Sequence, residues 1–289
     1  MTTLEGSSIR QQEQVSTYFR THAAYWRELY ASEDLQATII RERHAAVLEW
    51  IDDLLLPVGA RVLEVGCGAG LLSSTLALRG FSVKAIDLVQ EMVEQARIQA
   101  AECGATGRLQ VALGDAEALA FPDGTFDLVV AIGVIPWVDQ PARVIQEMAR
   151  VTRPGGCLLM SSANRLGLSS QLDPIANPEL TSLKRRLKEL LARFGHSLPR
   201  PTLEYHSNRR IDSVLTQAGL VKMRGRTLGF GPFTLLHRRV LPNSLGMALH
   251  HWLQSLADRS VAGFRSTGAA YLAEARKPTE TLAQNRVIL

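Results

Sequence analysis

One short stretch, residues 62–70 with the sequence VLEVGCGAG, combines an acidic residue with closely spaced glycines. Glu64 is followed by Gly66, Gly68 and Gly70, which gives the pattern E-x-G-x-G-x-G. The alternating apolar residues before the glycines predict a buried strand, and the residues after them predict a helix. Glycines between a strand and a helix let the backbone approach a ligand closely, and the helix N-terminus offers N–H groups to it. The stretch therefore predicts a turn that binds a small molecule.

The spacing of these glycines argues against a dinucleotide-binding turn. The dinucleotide fingerprint has its third glycine one position later, where this chain has Leu71. An NAD-dependent oxidoreductase would also need a catalytic pair such as Tyr and Lys, and none is obvious in the sequence. That enzyme class remains an alternative that the motif disfavours.

Two acidic residues stand where predicted strands end. Asp87 ends the second strand, 17 residues after Gly70, and a carboxylate there can accept two hydrogen bonds from ribose hydroxyls. Its alternative role is an N-cap, because a helix begins just after it. Asp115 ends the third strand, and its alternative role is that of an ordinary loop acid. We favour ligand binding for both, because strand ends at this edge of an α/β sheet line the crevice.

Together these features resemble motif I of the class I S-adenosylmethionine-dependent methyltransferases. The resemblance covers residues 61–161 by motif and residues 208–277 by topology. It implies S-adenosylmethionine as the cofactor and S-adenosylhomocysteine as the product. The glycine turn would cradle the methionine part, and Asp115 would receive the adenine amino group. The cofactor-binding residues that it implies are Glu64, Gly66, Cys67, Gly68, Gly70, Asp87, Leu88, Asp115, Ala116, Ile132 and Gly133.

Residues 133–137, with the sequence GVIPW, bear on the class of acceptor. Methyltransferases that act on amides and nucleobases often carry an Asn/Asp-Pro-Pro-aromatic motif here, and its absence argues against those acceptors. We predict that Trp137 forms a wall of the acceptor pocket, with core packing as the alternative. In relatives of the resembled family, N-terminal aromatic residues close over the site, which makes Tyr18, Tyr25 and Trp26 predicted substrate contacts; core packing is again the alternative.

Methyl transfer from a sulfonium mainly requires that the two reactants be positioned, but a hydroxyl acceptor also benefits from a general base, usually histidine. Candidate histidines lie in or beside two irregular segments and on the N-terminal helices: His22, His44, His206, His237, His250 and His251. Tyr205 and His206 directly precede a predicted core helix and are expected to border the site. We predict His206, His251 and Tyr205 as the catalytic residues.

The order of predicted elements indicates an α/β fold. From Arg61 the chain alternates apolar strands with helices, which predicts a parallel sheet covered on both faces. The predicted strands are 61–65, 81–87, 109–113, 126–132, 157–161, 220–230 and 271–275. The predicted core helices are 71–79, 91–103, one capped by Asp139, and 208–218. The resembled family implies a Rossmann-like, mostly parallel sheet of seven strands, ending in an antiparallel edge strand.

The remaining segments are expected to surround this core. The predicted organisation is an N-terminal helical lid (1–57), a cofactor-binding core (58–161), a cap insertion (162–207), the continued core (208–230), a second cap insertion (231–267), and a last strand with a tail (268–289). The insertions contain predicted helices at 179–194 and 243–256. They carry a net charge of +6 against +4 for the whole chain. This asymmetry predicts a basic entrance for an anionic or amphiphilic acceptor, or for one held at an acidic membrane surface, with a solvated basic face as the alternative.

The composition is that of an ordinary globular protein. The chain has 289 residues, of which 46% are hydrophobic and 21% charged. No apolar run reaches the roughly 18 residues that span a bilayer, and the polar start lacks the apolar core of a signal peptide, which predicts a cytoplasmic location. The three cysteines stand alone, so neither a disulfide framework nor a metal site is expected. No basic run with interleaved aromatic residues is present, and nucleic acid is not an expected partner.

The sequence thus predicts a methyltransferase that acts on a hydroxyl oxygen of a small molecule. The alternatives are C-methylation of an isoprenoid or other apolar acceptor, and a cofactor-binding regulator without an acceptor pocket. A cavity with polar groups and a histidine beside the cofactor site would favour oxygen, a dry aromatic cavity would favour carbon, and a solidly packed cap would favour the regulator.

Overall fold

The computed structural model describes residues 13–22, 32–180, 203–236 and 238–279. Tyr25, Trp26, His237 and most of the predicted helix 179–194 lie outside these ranges. In the described part, no helix is long and apolar enough to cross a membrane.

A central sheet organises the molecule. Its main strands are β1 Arg61–Val65, β2 Ser82–Asp87, β3 Leu109–Leu113, β4 Phe126–Ala131, β5 Thr152–Asn164, β7 Val221–Leu228 and β10 Ala270–Arg276. These seven strands run side by side in the order β3-β2-β1-β4-β5-β10-β7. Strands β1 to β5 pair in parallel, and β10 is antiparallel to both of its neighbours. The sheet confirms the predicted fold class, with seven strands on its main path. The predicted antiparallel edge strand is wrong in its place, because the antiparallel strand β10 lies between β5 and β7, and β7 forms the edge.

Helices cover both faces of this sheet because its central strands are apolar on both sides. On one face, helices Leu35–Asp53, Leu71–Leu78 and Gln90–Glu102 pack on side chains such as Val62 and Leu128. On the other face, helices Pro141–Val151 and Asn208–Gln217 pack on side chains such as Leu63 and Val129. Consecutive strand residues thus enter opposite cores, as the two-residue strand period requires.

Several boundaries differ from the sequence-based prediction. Asp139 is not the N-cap: the helix begins at Pro141 and its N-cap is Gln140, which makes no side-chain capping hydrogen bond. Strand β5 begins at Thr152 rather than at Cys157, because the predicted turn 153–156 is a bulge that shifts the register against β4.

Three short strands have no counterpart in the prediction. Strand β6, Tyr205–His206, pairs in parallel with the end of β5. Strands β8, Thr234–Leu235, and β9, Arg238–Arg239, form a separate two-stranded sheet. Strands of two residues are too short to show an alternating pattern, so only the pairing partner reveals them.

The second predicted insertion builds a small core of its own. Its helix, Asn243–Asp258, packs Leu253 and Ala257 against Phe230 and Phe233. The Asn243 side chain also accepts a hydrogen bond from the backbone N–H of Leu35, at the start of helix Leu35–Asp53. This segment therefore contacts helix Leu35–Asp53 at its N-terminal end.

Candidate functional site

A large cavity opens at the carboxyl ends of the parallel strands. Its volume is about 550 Å³, a size typical of small-molecule sites. Most of the residues that line it follow β1, β2, β3 and β4, end β5 and β7, or belong to helices Leu35–Asp53 and 13–21. Others come from the segments around Tyr205 and Pro232. This is the edge of an α/β sheet at which ligands bind.

The glycine turn forms the floor of the cavity next to β1. The backbone N–H groups of Gly66 and Cys67 donate to the carbonyl of Ile86, 2.8 and 3.0 Å away. Gly66 has φ +68°, and a Cβ there would lie 2.3 Å from Cγ2 of Val134. Only glycine fits this position, because it combines a left-handed backbone with a close neighbour.

Gly70 serves packing rather than the cavity. It has φ +80°, and a Cβ there would lie 2.7 Å from Cβ of Ala96 on helix Gln90–Glu102. Gly70 does not line the cavity, whereas Gly66, Cys67 and Gly68 do. The structure therefore gives no support to the prediction that Gly70 contacts the cofactor.

Asp87 ends β2 and faces the glycine turn. Its Oδ2 accepts a hydrogen bond from the N–H of Gly68 at 2.9 Å, and its Oδ1 accepts one from Val89 at 3.0 Å. Burial raises the pKa of this carboxyl, while the backbone N–H groups of Val89, Gly68 and Leu88 act in the opposite direction. The carboxylate has lone pairs to spare for ligand hydroxyls.

Asp115 follows β3, the strand next to β2. Its Oδ1 accepts a hydrogen bond from the N–H of Glu117 at 2.8 Å, which fixes the side chain in a tight turn. Asp115, Ala116 and Leu88 line the same part of the cavity. The two acidic groups predicted to bind ligand are thus brought together at one edge of the sheet.

Glu64 lies on β1 beneath the turn, and it is 4% exposed. Its Oε2 accepts a hydrogen bond from the hydroxyl of Ser73, which links the strand to helix Leu71–Leu78. Burial raises the pKa of Glu64 to about 8, with the nearby Asp87 carboxylate acting in the same direction. At neutral pH, without ligand, this carboxyl is therefore largely protonated.

The segment after β4 crosses the middle of the cavity. Ile132 and Gly133 line it, and the N–H of Gly133 donates to Oγ of Ser161 on β5 at 2.8 Å. Gly133 also faces helix Leu35–Asp53, since a Cβ there would lie 3.8 Å from Nη2 of Arg43.

Aromatic residues stand at the cavity wall after β4. Trp137 lines the cavity, stacks on Tyr18 with ring centroids 5.8 Å apart, and meets Phe19 edge-on at 5.1 Å. Phe19 lines the cavity, and Tyr18 itself does not. Helical residues 13–21 thus lie beside the site, and Tyr18 packs behind two of its lining residues, Trp137 and Phe19.

One wall of the cavity is formed by residues that the sequence did not predict as cofactor-binding, substrate-binding or catalytic. Helix Leu35–Asp53 presents five side chains to it: Gln36, Ile39, Ile40, Arg43 and His44. Their spacing of three and four residues is that of one helix face. This spacing can be read in the sequence. However, its polar members, Gln36, Arg43 and His44, would ordinarily be assigned to a solvent-facing side of the helix, whereas here they face a cavity.

The predicted catalytic residues differ in their placement. Tyr205 lines the cavity, and burial raises the pKa of its phenol. His206 is buried on β6 and does not line the cavity, because adjacent strand residues point to opposite faces. His251 is 54% exposed and binds Glu42 outside the cavity, so its predicted role as a base lacks structural support.

His44 is the histidine that lines the cavity within the described residues. Burial lowers the pKa of its imidazole, and the neighbouring charges of Arg43 and Arg79 act in the same direction. The ring is therefore neutral at pH 7 and able to accept a proton.

Glu42, His250 and His251 lie close enough together to suggest a metal site. However, Nδ1 of His250 accepts a hydrogen bond from the N–H of Phe230 at 3.1 Å, so the ring hydrogen resides on Nε2. That Nε2–H faces Oε2 of Glu42 at 2.7 Å. A metal bound at Nε2 would force the hydrogen onto Nδ1, against the N–H of Phe230. These residues therefore join two helices and do not form a metal site.

Comparison with known proteins identifies the core of the chain. Residues 63–160 match the family described as a methyltransferase domain. A ubiquinone biosynthesis O-methyltransferase of Xanthomonas axonopodis pv. citri (strain 306) is 40% identical over 119 residues, 41% of this chain and 49% of that protein. One from Colwellia psychrerythraea (strain 34H / ATCC BAA-681) is 31% identical over 153 residues, 53% of this chain and 62% of that protein. The chain thus spans about half the length of the first curated relatives it matches.

Solved structures share the fold over most of the chain. Magnesium protoporphyrin IX methyltransferase of Synechocystis PCC 6803 with bound S-adenosylhomocysteine has a TM-score of 0.62 at 19% identity, covering 92% of this chain and 99% of that one. The cyclase SpnF has a TM-score of 0.53 at 23% identity, covering 78% and 77%. These structural likenesses concern the fold alone. They confirm the predicted fold class, and the match over residues 63–160 supports the predicted family.

Proposed function

We propose that this chain, a member of the class I S-adenosylmethionine-dependent methyltransferase family, transfers a methyl group from S-adenosylmethionine to a hydroxyl oxygen of a small molecule. One observation carries the proposal: a single cavity joins the glycine turn, Asp87 and Asp115 to a chamber with hydroxyl groups and a neutral histidine. The relatives that are named O-methyltransferases support the choice of oxygen.

The residues present fit the cofactor. Asp87 would bind the ribose hydroxyls and Asp115 the adenine amino group, because both residues line the cavity and their carboxylates can accept hydrogen bonds from a ligand. Arg43 and the backbone beside Gly133 would hold the methionine end, with the guanidinium facing its carboxylate. The bound cofactor supplies an activated methyl group, and the protein orients the acceptor toward it.

His44 is the base that we propose for an acceptor hydroxyl. It replaces His206 and His251 in this role because it lines the cavity and they do not. Its lowered pKa keeps the ring neutral and ready to take the acceptor's proton. Substituting His44→Gln is expected to lower kcat about 100-fold, with little change in the affinity for S-adenosylhomocysteine.

The open cavity also supports an enzyme over a regulator. A regulator that had lost its acceptor pocket would have a filled chamber beyond the glycine turn. Here the chamber continues past Gly133 to β5, Tyr205 and Pro232. The serine and tyrosine hydroxyls and the histidine around it favour oxygen over carbon as the methyl acceptor.

The decisive experiment is a calorimetric titration with S-adenosylhomocysteine. The wild type is expected to bind it, and Asp87→Ala to bind it at least 10-fold more weakly, because removing one partner of hydrogen bonds to a charged group costs roughly 1.5–3 kcal/mol. Asp127→Ala is the matched control, since Asp127 pairs with Arg153 away from the cavity. Equal affinities in the wild type and Asp87→Ala, or no binding to either, would contradict the proposal.

A further inference from the structure

Ser162 is a buried polar residue whose hydroxyl lacks a hydrogen-bond partner in the described part of the chain. It is 2% exposed, and its Oγ has no hydrogen-bond partner among the residues that the structure describes. A buried hydroxyl without a partner costs stability, commonly about 1–3 kcal/mol, so its presence calls for an explanation. Ser162 lines the large cavity, so a ligand bound there is the candidate partner for this hydroxyl.

A second hydroxyl stands beside it. Tyr205 on β6 pairs with Ala163, the residue that follows Ser162 on β5. Tyr205 lines the same cavity, and no described residue hydrogen-bonds its phenol oxygen. Because burial raises the pKa of this phenol, it stays protonated and can donate a hydrogen bond at any physiological pH.

The two hydroxyls occupy the end of the cavity that the cofactor residues leave free. Asp87 and Asp115 follow β2 and β3 on one side of β1, whereas β5 and β6 lie on the other side, beyond β4. The chamber around them is mainly apolar, with Pro136, Leu203, Leu228 and Pro232 in its walls. It therefore suits a ligand that is apolar over most of its surface and polar at one point.

We propose that Ser162 and Tyr205 recognise the acceptor, which is an apolar molecule bearing a hydroxyl group. This inference rests on the proposed function and specifies its substrate class. The ligand oxygen accepts a hydrogen bond from one of the two hydroxyls and donates to, or accepts from, the other. The apolar body of the ligand fills the chamber between Pro136 and Pro232.

The test compares two probes that differ by one hydroxyl group, 2-naphthol and naphthalene. Their binding is followed by fluorescence with the protein saturated with S-adenosylhomocysteine. We expect 2-naphthol to bind the wild type and to bind Ser162→Ala and Tyr205→Phe about 10-fold more weakly each, the effect of one hydrogen bond. Naphthalene should bind all three proteins equally.

Ser74→Ala is the matched control. Ser74 is also buried with an unpartnered Oγ among the described residues, but it does not line the cavity. Both serine variants are expected to keep or raise the melting temperature, since each loses an unsatisfied hydroxyl, and only Ser162→Ala should lose affinity for 2-naphthol.

Three outcomes would overturn this inference. They are the absence of 2-naphthol binding to the wild type, equal binding of 2-naphthol to the wild type and both cavity variants, and an equal loss in Ser74→Ala. Each outcome is interpreted only for protein that has first been shown to bind S-adenosylhomocysteine. Failure of acceptor recognition is thereby separated from failure of the proposed function, which would appear as a loss of cofactor binding.

Discussion

Glu64 illustrates how one buried acid can link folding stability to pH. Its ordinary pKa of 4.5 is raised to about 8 in the folded protein, chiefly by burial. Between these values the folded chain holds a proton that the unfolded chain has released. Folding stability contributed by this group is therefore fully present below about pH 4.5 and is lost as pH rises through about 8.

Replacing Glu64 by Gln should remove this dependence. We expect the free energy of unfolding of the wild type to fall between pH 5 and pH 8 relative to Glu64→Gln, as measured by urea denaturation at each pH. Glu117→Gln is a suitable control. Burial also raises the pKa of Glu117, but this residue is more exposed than Glu64, so its substitution should change the pH dependence less. Parallel stability curves for the wild type and Glu64→Gln would show that Glu64 is already ionised in the folded protein.

His250 and His251 are neighbours that should contribute unequally to the stability of the fold. Both bind Glu42, but His250 is fully buried and also accepts the N–H of Phe230, whereas His251 is 54% exposed. We expect His250→Leu to lower the free energy of unfolding by about 2 kcal/mol, because the Phe230 N–H loses its partner. His251→Leu should change it by less than about 0.5 kcal/mol. Chemical denaturation measures both, and equal losses would contradict the assigned hydrogen bonds.

At the scale of elements, Gly70 joins the glycine turn to the neighbouring helix. Gly70→Ala should lower the free energy of unfolding by about 2 kcal/mol or more, because it adds both a left-handed backbone penalty and overpacking against Ala96. Gly219→Ala separates the two causes: Gly219 has φ +78°, but a Cβ there would meet no atom within 4 Å, so only the backbone penalty of roughly 1–2 kcal/mol applies. Similar losses in both variants would show that the contact with Ala96 is not important.

Helix Leu35–Asp53 is the element that connects the core to the site. One of its faces packs on the sheet through Val47, Trp50 and Ile51, and its N-terminal half lines the cavity. Its C-terminal end is held by Arg224, whose guanidinium donates a hydrogen bond to Asp53. The Cζ atom of Arg224 lies 4.4 Å from the centroid of the Trp50 ring. The helix Asn243–Asp258 contacts helix Leu35–Asp53 through His250 and His251, which bind Glu42, and none of helix Asn243–Asp258 lines the cavity. The second insertion therefore reaches the site directly through Gly231 and Pro232, and indirectly through this helix contact.

At the scale of the whole molecule, the basic entrance formed by the two insertions stays a prediction. Four of its charged residues lie outside the described part of the chain: Lys184, Arg185, Arg186 and Lys188. We expect the triple variant Arg185→Gln, Arg186→Gln, Lys188→Gln to weaken the apparent affinity for an anionic acceptor at low salt, with an effect that shrinks as salt rises. Affinity for S-adenosylhomocysteine should not change. Unchanged acceptor kinetics and unchanged binding to anionic liposomes at low salt would show that these charges only solvate the surface.

The local pattern of residues by itself determined the fold and the cofactor half of the site. Apolar strands that alternate with helices specify a parallel sheet, and Glu64, Gly66, Asp87 and Asp115 occupy strand ends that meet at one edge of it. These groups lie next to the strands that place them, so their chemistry follows from their position along the chain.

Only the tertiary structure decided the proposed acceptor half of the site. The chamber is built by β5, β6 and helix Leu35–Asp53, elements that are far apart in the chain and meet only after packing. Whether a histidine or serine faces a cavity depends on the rotation of its helix or the register of its strand, which long-range contacts set. For this reason Ser162 gave no local signal and His44 was one histidine candidate among six, whereas the predicted base His206 proved to lie on a strand face turned away from the cavity.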